Sequence, residues 1–207
     1  MVSKMLWVGR QTECGAGMSR VAFLGYDRSQ TRLVAALEAF GADVVEITAP
    51  VDDLSTFDLC VSFGYKFILP AAVLAATARP VLNLHISYLP HNRGYHPNFW
   101  SHVESTPAGV TIHEIDAGID TGPIVFQRRI VFPETLTTFA DTYRFLIENI
   151  ETLFIDNMAA LLSGDYQAEP QQGEGGFHLR KQLPGWMTDW NMPIAGARAR
   201  YRRERGV

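Results

Sequence analysis

The sequence predicts an α/β fold with a doubly wound, mostly parallel sheet at its core. Short apolar stretches alternate along the chain with stretches that have the periodicity of helices. Strands and helices that alternate in this way are typical of parallel sheets with helices on both faces. The chain has 207 residues, of which 47% are hydrophobic and 19% charged, so it is long enough to bury one sizeable core.

The first part of the chain contains four predicted strands with two helices between them. These strands cover residues 20–26, 42–47, 58–63 and 80–87. The segment DRSQTRLVAALEAFG is predicted to be a helix, because Leu33, Leu37 and Phe40 share one face and Gly41 can close its end. A second, short helix is predicted to begin at Pro70, since proline is favoured at the first helical position.

The later part of the chain contains a short helix, two more strands and one long helix. The short helix is NFWSHVE, and the strands at 108–115 and 123–132 are joined by the loop DAGIDTG. A stripe of apolar residues predicts a helix over roughly 136–162, which Gly164 ends. The residues that follow lack a periodic pattern, and we expect the arginine-rich end, ARARYRRERGV, to be frayed.

These elements indicate a single domain with a short extension at each end. Residues 1–17 show no periodicity, and we expect them to be a disordered leader. The main domain is predicted to cover 18–183, and 184–207 form a C-terminal extension in which Trp186 and Trp190 lie close together. This extension could pair two copies of the chain as a homodimer, or it could pack on its own subunit.

Charge and composition exclude several classes of partner. The formal net charge of −4 argues against nucleic acid, because binding to phosphates normally needs a basic surface. No apolar stretch approaches transmembrane length, and the N-terminus lacks the apolar core of a secretory signal. Cys14 and Cys60 are too few for a disulfide framework, so a reducing cytoplasm is the expected location.

Two polar side chains interrupt the fourth predicted strand close to its end. Asn83 and His85 are two residues apart in the segment VLNLHIS, so they point to the same face of the sheet. In open α/β sheets, ligands bind beyond the carboxyl ends of the parallel strands. We therefore expect both groups to face one pocket at the rim of the sheet.

Asp120 is the third candidate for this site. It lies in the loop DAGIDTG, and a carboxylate near an imidazole fixes the tautomer of the imidazole and raises its basicity. The N–H of an amide can stabilise a developing oxyanion, so Asn, His and Asp together suit acyl transfer. No serine or cysteine with a nucleophile motif lies nearby, which favours direct attack by a substrate amine. A purely structural role for a buried histidine with a partner is the competing interpretation.

Two longer motifs around these residues resemble a known family. The string NLHISYLPHNRG resembles the Asn-x-His-x-Ser-x-Leu-Pro segment of folate-dependent formyltransferases, and GVTIHEIDAGIDTGPIVFQ is similar to their second signature. The resemblance covers roughly 20–132 and implies a Rossmann-like formyltransferase fold. It implies that Asn83, His85 and Asp120 are catalytic and that 10-formyltetrahydrofolate is the cosubstrate.

The resemblance also implies where the pterin binds. The family's pterin-binding loop corresponds to SFGYKFILP at 62–70, and main-chain groups of the loop that contains Asp120 complete that site. The implied folate-binding residues are Tyr65, Phe67, Ile68, Leu69, Asp116 and Gly118. From the residues alone, SFGYKFILP would be a strand end that packs against a helix.

The acceptor is expected to be a nucleotide-linked amino sugar, such as a dTDP-4-amino-dideoxy sugar. The segment GYDRSQTRL has one glycine, unlike the phosphate loop of glycinamide ribonucleotide enzymes. The chain is short and acidic for a methionyl-tRNA enzyme, and no regulatory domain typical of formyltetrahydrofolate hydrolases is recognised. The chain looks like the sugar N-formyltransferase branch. The alternatives are another small amine, such as glycinamide ribonucleotide, or a non-catalytic relative that binds folate or a nucleotide.

Several further residues are candidates for contact with the substrate. The predicted substrate-binding side chains are Ser87, Arg93, Asn98 and Trp100. Helix capping and core packing explain the last two equally well. His178, Arg180 and Lys181 could meet a diphosphate, although a solvated turn is the more ordinary interpretation.

The implied mechanism uses the three polar residues and no metal. A neutral amine attacks the formyl carbon, Asn83 and protonated His85 stabilise the oxyanion, and Asp120 orients His85 and helps to move the amine proton. Because the amine must be neutral to attack, activity should fall at low pH. The remaining histidines, among them His113, are scattered without the spacing of metal ligands, so we interpret them as ordinary loop or strand residues.

Overall fold

A computed structural model describes residues 18–206, and the predicted leader at 1–17 lies outside this part of the chain. The strands are β1 (Arg20–Gly25), β2 (Asp43–Ile47), β3 (Leu59–Phe63), β4 (Leu82–His85), β5 (Arg93–Gly94), β6 (Ala108–Glu114), β7 (Ile124–Ile130) and β8 (Phe177–His178). The helices are α1 (Leu33–Ala39), α2 (Ala71–Ala76), α3 (Pro97–Val103), α4 (Phe139–Asp156), α5 (Met158–Ser163) and α6 (Ile194–Arg205), with a 3-10 turn at Arg180–Gln182. Among the helices of residues 18–206, none has the length and apolar content that a membrane crossing requires.

Six strands form the central sheet in the order β2-β1-β3-β4-β6-β7. The pairings β1–β2, β1–β3 and β3–β4 are parallel, whereas β4–β6 and β6–β7 are antiparallel. The predicted α/β fold with a mostly parallel sheet is therefore confirmed. The two short strands β5 and β8 pair separately, parallel to one another.

Alternating side chains bury both faces of the sheet. In β1, Val21 and Phe23 join an apolar cluster with α1, α4 and α5, while Ala22 and Leu24 join a second cluster with α2 on the other face. In a parallel sheet that is covered on both faces, successive residues along a strand can all be apolar. This explains why the first strand reads as a continuous apolar run rather than as an alternation.

The predicted long helix is in fact two helices. Helix α4 ends at Asp156 and α5 begins at Met158, because Asn157 leaves helical geometry with ψ near 10°. The side chain of Asn157 donates to the carbonyl oxygen of Leu153 at 2.8 Å, a local bond that competes with the continuing helix. Gly164 ends α5 in the left-handed conformation, with φ of +77°, as the sequence predicts.

The prediction that the arginine-rich end is frayed is wrong, because it forms α6. Ile194, Ala197 and Tyr201 are buried in a third apolar cluster. This cluster packs α6 on α3, where Phe99 and Trp100 are fully buried. The arginines lie around this buried stripe, so a basic composition conceals a helix with an apolar side. The C-terminal extension therefore packs on its own subunit.

Candidate active site

Asn83 and His85 lie at the end of β4 and share one face of the sheet. Leu82 and Leu84 alternate with them and are buried on the opposite face, in the cluster with α4. The strand ends at His85, so both polar groups reach the carboxyl edge of the parallel strands, as the sequence predicts. The imidazole of His85 is almost completely covered, with 8% of the residue exposed.

The loop between β6 and β7 brings Asp120 against both of these side chains. The carboxylate Oδ1 accepts a hydrogen bond from Asn83 Nδ2 at 3.2 Å, and Oδ2 lies 3.6 Å from His85 Nδ1. The backbone N–H of Gly94 donates to Oδ2 at 2.8 Å. The three residues that the sequence predicted as a site therefore lie within contact distance of one another.

His113 is a fourth member of the cluster, and the sequence interpretation of it as an ordinary strand residue is corrected. The register of β4 and β6 places His113 directly opposite Asn83. Its Nε2 lies 3.1 Å from Asn83 Nδ2 and 3.5 Å from Asp120 Oδ1. The antiparallel pairing of β4 with β6 creates this contact, because residues directly opposite one another on neighbouring strands point to the same face of the sheet. The pairing of β4 with β6 was the signal that the sequence interpretation lacked.

Each polar atom of the Asn83 amide has a partner that fixes its orientation. Ser62, the neighbour of Asn83 on β3, donates its hydroxyl to Oδ1 at 2.9 Å. The two hydrogens on Nδ2 have His113 Nε2 and Asp120 Oδ1 as acceptors. Since Nδ1 of His113 lies 2.8 Å from the carbonyl oxygen of Glu114, Nδ1 carries the proton and Nε2 is free to accept.

The contacts of His85 define its protonation in the same way. Nε2 lies 3.2 Å from the carbonyl oxygen of Asn92, which can only accept, so Nε2 carries a proton. Nδ1 faces the carboxylate of Asp120, and a favourable contact there needs a second proton on the ring. A ring with protons on both nitrogens would pair with the Asp120 carboxylate as an imidazolium.

The surroundings of Asp120 keep its carboxylate ionised. Burial alone would raise the pKa of this group, but the positive charge of a protonated His85 and the N–H of Gly94 outweigh burial. The pKa of Asp120 therefore lies well below its usual range. A carboxylate with a lowered pKa is a weak base and a persistent negative charge.

The two other candidates on this loop shape its backbone. Asp116 accepts hydrogen bonds from the backbone N–H of Gly118 at 2.9 Å and from the Thr121 hydroxyl at 2.6 Å. A Cβ at Gly118 would lie only 2.1 Å from Thr121 Oγ1, so the turn requires glycine there. Both residues are exposed at the rim next to Asp120.

The loop after β3 divides into exposed and buried parts. Phe67 and Ile68 are 44% and 90% exposed, and Tyr65 packs its ring 5.4 Å from Phe67 while its hydroxyl donates to the carbonyl oxygen of Ala49. Leu69 differs, because it is buried in the apolar cluster that contains α2. Of the apolar residues that the resemblance implies for folate binding, Leu69 therefore offers little exposed surface.

Three of the four predicted substrate-binding side chains are buried. Ser87 is 3% exposed, and its hydroxyl donates to the carbonyl oxygen of His91. Asn98 donates to the carbonyl oxygen of Phe139 at 2.9 Å, which ties α3 to α4. Trp100 is 1% exposed. These internal contacts remove Ser87, Asn98 and Trp100 from the candidates for direct contact with a sugar.

The remaining candidates differ in how accessible they are. Arg93 is partly buried and directs Nε and Nη2 to the side-chain oxygen of Gln171, at 3.0 and 2.8 Å. His178 is 8% exposed and stacks on Trp100 with ring centroids 4.0 Å apart, so it is not a free phosphate ligand. Arg180 and Lys181 are exposed on the 3-10 turn, as a solvated turn requires.

A group of exposed rings lies on the other side of the site, and sequence reasoning missed it. Tyr95 follows Gly94 directly and is 46% exposed. His96 stacks on Trp190 with centroids 5.5 Å apart, and Trp190 is 38% exposed. Burial and the positive charge of Arg180 both lower the pKa of His96. We refer to Tyr95, His96 and Trp190 as the aromatic rim.

The described residues contain few other features that could form a site. Within 18–206, no group of three or more His, Cys, Asp or Glu side chains is arranged to hold a metal ion. Two surface cavities of about 300 and 510 Å³ lie along α3. None of the polar residues around Asp120 lines either cavity.

Comparisons of sequence show which family the chain resembles. The sequence profile of the family described as formyl transferase matches residues 28–151. The dTDP-4-amino-4,6-dideoxyglucose formyltransferase of Mycobacterium bovis is 33% identical over 141 residues, which are 68% of this chain and 58% of that protein. The methionyl-tRNA formyltransferase of Bradyrhizobium diazoefficiens is 33% identical over 152 residues, 72% of this chain and 48% of that protein. The chain therefore spans about half of the length of these relatives.

A solved structure shows the same architecture over more of its length. The formyltransferase PseJ from Anoxybacillus kamchatkensis, in complex with UDP-4,6-dideoxy-4-formamido-L-AltNAc and tetrahydrofolate, superposes with a TM-score of 0.79 and 34% sequence identity. The match covers 86% of this chain and 97% of PseJ. The agreement in sequence and fold, together with the two motifs that meet at Asp120, shows that this chain belongs to the formyl transferase family.

Proposed function

We propose that this protein transfers a formyl group from 10-formyltetrahydrofolate to the amine of a nucleotide-linked amino sugar. The observation that carries the proposal is the contact of Asp120 with both Asn83 and His85 at the carboxyl edge of the sheet. The curated relative that acts on a dTDP-linked amino sugar and the PseJ complex with a UDP-linked sugar both support this class of acceptor.

The donor side of the site lies at the loop after β3 and the loop that carries Asp120. Phe67, Ile68 and Ile119 expose between 44% and 90% of their surface there. Large apolar side chains that remain exposed in one region often mark a binding surface. These side chains offer the apolar contact that a flat pterin ring requires, and exposed backbone groups of the same loops can hydrogen-bond its polar edge.

The acceptor side lies at β5 and the aromatic rim. Gly94 donates to Asp120, and the next residue is Tyr95, so the rim begins one residue from the site. Exposed rings suit the stacking of a nucleotide base, and the exposed guanidinium of Arg180, whose positive charge acts on His96, suits a diphosphate. An acceptor with a base and a diphosphate therefore fits this side better than a small amine alone.

Asn83 and His85 are the groups that can stabilise negative charge on the formyl oxygen. Both hydrogens of the Asn83 amide have acceptors in the structure, so a substrate oxygen must replace His113 or Asp120 as one of them. An imidazolium at His85 adds positive charge close to the same position. The donor supplies the formyl carbon, and the chain supplies hydrogen bonds and charge around its oxygen.

Asp120 stabilises the positive charge that forms on the amine. When a neutral amine adds to the formyl carbon, its nitrogen becomes cationic and must lose a proton. The lowered pKa of Asp120 makes it a persistent anion that favours this cation, and His85 stays oriented by the same carboxylate. The bond between the formyl carbon and the folate nitrogen then breaks, and that nitrogen takes up a proton to leave as tetrahydrofolate. The proton lost by the amine balances this uptake, and it passes through solvent or through Asp120 as a transient acceptor.

The decisive experiment supplies the purified protein with 10-formyltetrahydrofolate and either dTDP-4-amino-4,6-dideoxyglucose or a UDP-linked 4-amino sugar. Release of tetrahydrofolate and a mass increase of one formyl group on the sugar are expected with at least one acceptor. Release without any amine would instead indicate a hydrolase. Folate binding without release on a broad panel of amino sugars would indicate a non-catalytic relative and would contradict the proposal.

We also propose that the protein is located in the cytoplasm. Pairing of two copies of the chain stays a prediction that a measurement in solution can test. Cys60, the one cysteine among the described residues, is a buried free thiol, and burial raises its pKa to about 11. Such a thiol is compatible with a reducing compartment. Light scattering on the purified chain measures whether one or two copies are present.

A further inference from the structure

We propose that Gln171 is a positioning residue that holds Asp120 in place from 51 residues away. The proposal rests on the proposed formyl transfer at Asp120, but the contacts that carry it are independent of the acceptor. Gln171 lies in the segment EPQQGEGG, which has no regular secondary structure and no recognisable motif. It touches none of the side-chain atoms that are proposed to react.

Both polar atoms of the Gln171 side-chain amide make hydrogen bonds, to the loop that carries Asp120 and to Arg93. Its Nε2 donates to the carbonyl oxygens of Asp120 and Gly122, each at 2.8 Å. Its Oε1 accepts two hydrogen bonds from Arg93, at 3.0 and 2.8 Å. A single side chain therefore connects the Asp120 loop to the residue that precedes Gly94.

The backbone that Gln171 contacts is held in an unfavourable conformation. Asp120 has φ of +53°, in the left-handed region that non-glycine residues rarely occupy. Such a conformation costs on the order of 1–3 kcal/mol and persists only where surrounding contacts enforce it. Gln171 donates hydrogen bonds to the carbonyl oxygens of Asp120 and Gly122, so it is well placed to hold Asp120 in this left-handed conformation.

The segment around Gln171 also makes backbone hydrogen bonds to the start of β7 and to β5. Glu169 and Ile124 exchange backbone hydrogen bonds of 2.8 and 2.7 Å, next to the Asp120 loop. Arg93 donates its backbone N–H to Gly176, and β5 pairs with β8. These contacts fix the segment at both ends. Gln171 then sets the distance between the Asp120 carboxylate and its donor at Gly94.

Loss of the hydrogen bonds from Gln171 should lower the catalytic rate more than it weakens the binding of substrates. The contact between Asp120 and His85 is already long at 3.6 Å, so a small displacement of the loop would weaken it. A misplacement of about 1 Å in a catalytic group can lower the rate about 100-fold. We therefore expect kcat to fall while KM for the folate changes little.

The test compares Gln171→Met, Gln171→Glu and the matched control Gln172→Glu. Gln172 is the neighbouring, exposed residue, so its substitution adds the same charge without touching the Asp120 loop. Gln171→Met keeps the length of the side chain and removes both donors. We expect kcat to fall about 10- to 100-fold in both Gln171 variants and less than twofold in the control.

The Gln171→Glu variant has a pH signature that a merely structural role would not produce. When ionised, its carboxylate repels the carbonyl oxygens of Asp120 and Gly122, but a protonated carboxyl group can donate to one of them. The rate of this variant relative to the unsubstituted protein should therefore rise as pH falls from 8 towards 5. Equal rates in the two proteins across this range would overturn the proposal.

Hydrogen exchange separates this proposal from the proposed function. Gln171→Met should speed amide exchange in the segment 116–122 and leave β4 unchanged, whatever reaction the protein catalyses. If the unsubstituted protein transfers no formyl group but the segment is loosened, then the proposed function fails and the positioning role stands. Unchanged exchange in that segment would refute the role of Gln171 directly.

Discussion

At the scale of single residues, Asp120 is the group on which the other polar contacts of the site converge. Asn83, His85, His113 and the backbone of Gly94 all approach its two carboxylate oxygens. Asp120→Asn keeps the shape of the side chain but removes the charge, and one of its amide hydrogens would face a donor. We expect kcat to fall about 100- to 10,000-fold, a range typical of lost acid–base or electrostatic groups.

The matched control for this variant is Asp165→Asn, since Asp165 is exposed and distant in sequence from the site. Steady-state rates and melting temperatures of both variants distinguish lost catalysis from lost folding. Near-normal rates in Asp120→Asn would show that the contacts around Asp120 are structural, which is the competing interpretation of this cluster.

The lowered pKa of Asp120 also predicts which group controls the loss of activity at low pH. Burial opposes ionisation of Asp120, but the protonated His85 imidazole and the Gly94 N–H lower its pKa below the unfolded value. Its ionised form therefore stabilises the fold at pH values above the unfolded pKa, and this stability is lost only as pH falls through the lower, folded pKa. Between pH 5 and 8 the carboxylate is ionised throughout.

The acid limb of the pH–rate profile should consequently follow the amine of the acceptor rather than Asp120. Two accepted amino sugars whose amines differ in pKa should give acid limbs that differ by the same amount in kcat/KM. The measurement is kcat/KM for each sugar at several pH values. An acid limb that stays fixed when the acceptor changes would assign the titration to a group on the protein.

At the scale of elements, the parallel strands were predictable and the direction of β6 was not. Apolar runs and the polar pair Asn83 and His85 are local signals that lie within one strand. The contacts of Asn83 with His113 and Ser62 depend on which strands flank β4 and in which direction they run. That information is not local, so these partners are visible only in the folded chain.

The buried positions of Asn98 and Trp100 have a similar origin. The sequence predicts a short helix here and leaves substrate contact and core packing open for both residues. The structure encloses α3 between α4 and α6, which favours packing. In α6, by contrast, a local signal was present. Ile194, Ala197 and Tyr201 follow helical spacing, and the surrounding arginines obscured the stripe.

One element depends on a contact from a distant loop. The guanidinium of Arg79 donates to the carbonyl oxygens of Leu161 and Leu162 at the end of α5, at 3.1 and 3.0 Å, and to that of Asp58 at 2.8 Å. Charge-assisted bonds to the unpaired carbonyls of a helix end stabilise the element. Arg79→Ala should therefore lower the free energy of unfolding by about 1.5–3 kcal/mol.

Urea unfolding followed by circular dichroism measures this change, with Arg144→Ala as the control. Arg144 has a side chain that is 70% exposed, and its one ion pair is with Asp141 on the same helix. Such a pair contributes little, so the control should change stability by less than about 0.5 kcal/mol. Equal effects of the two substitutions would show that Arg79 does not anchor α5.

At the scale of the whole molecule, the apolar cluster around α6 makes the C-terminal extension part of the same folding unit. Tyr201 is 7% exposed, its ring lies about 6 Å from those of Phe99 and Trp100, and its hydroxyl donates to Glu104 at 3.2 Å. Removing a buried aromatic ring typically costs about 3–5 kcal/mol. Tyr201→Ala should destabilise the protein by an amount in this range.

The unfolding curves of this variant test whether the chain has one cooperative unit or two. Three tryptophans of the described chain, Trp100, Trp186 and Trp190, lie in or beside the α6 cluster. With the fourth tryptophan of the sequence replaced by Trp7→Phe, fluorescence reports that region while circular dichroism reports the whole fold. For one unit, both signals shift together in Tyr201→Ala, and the exposed substitution Arg203→Ala leaves both in place. If the fluorescence transition of Tyr201→Ala shifts to lower denaturant concentration while the circular dichroism transition stays in place, the extension unfolds as a separate unit from the fold around Asp120.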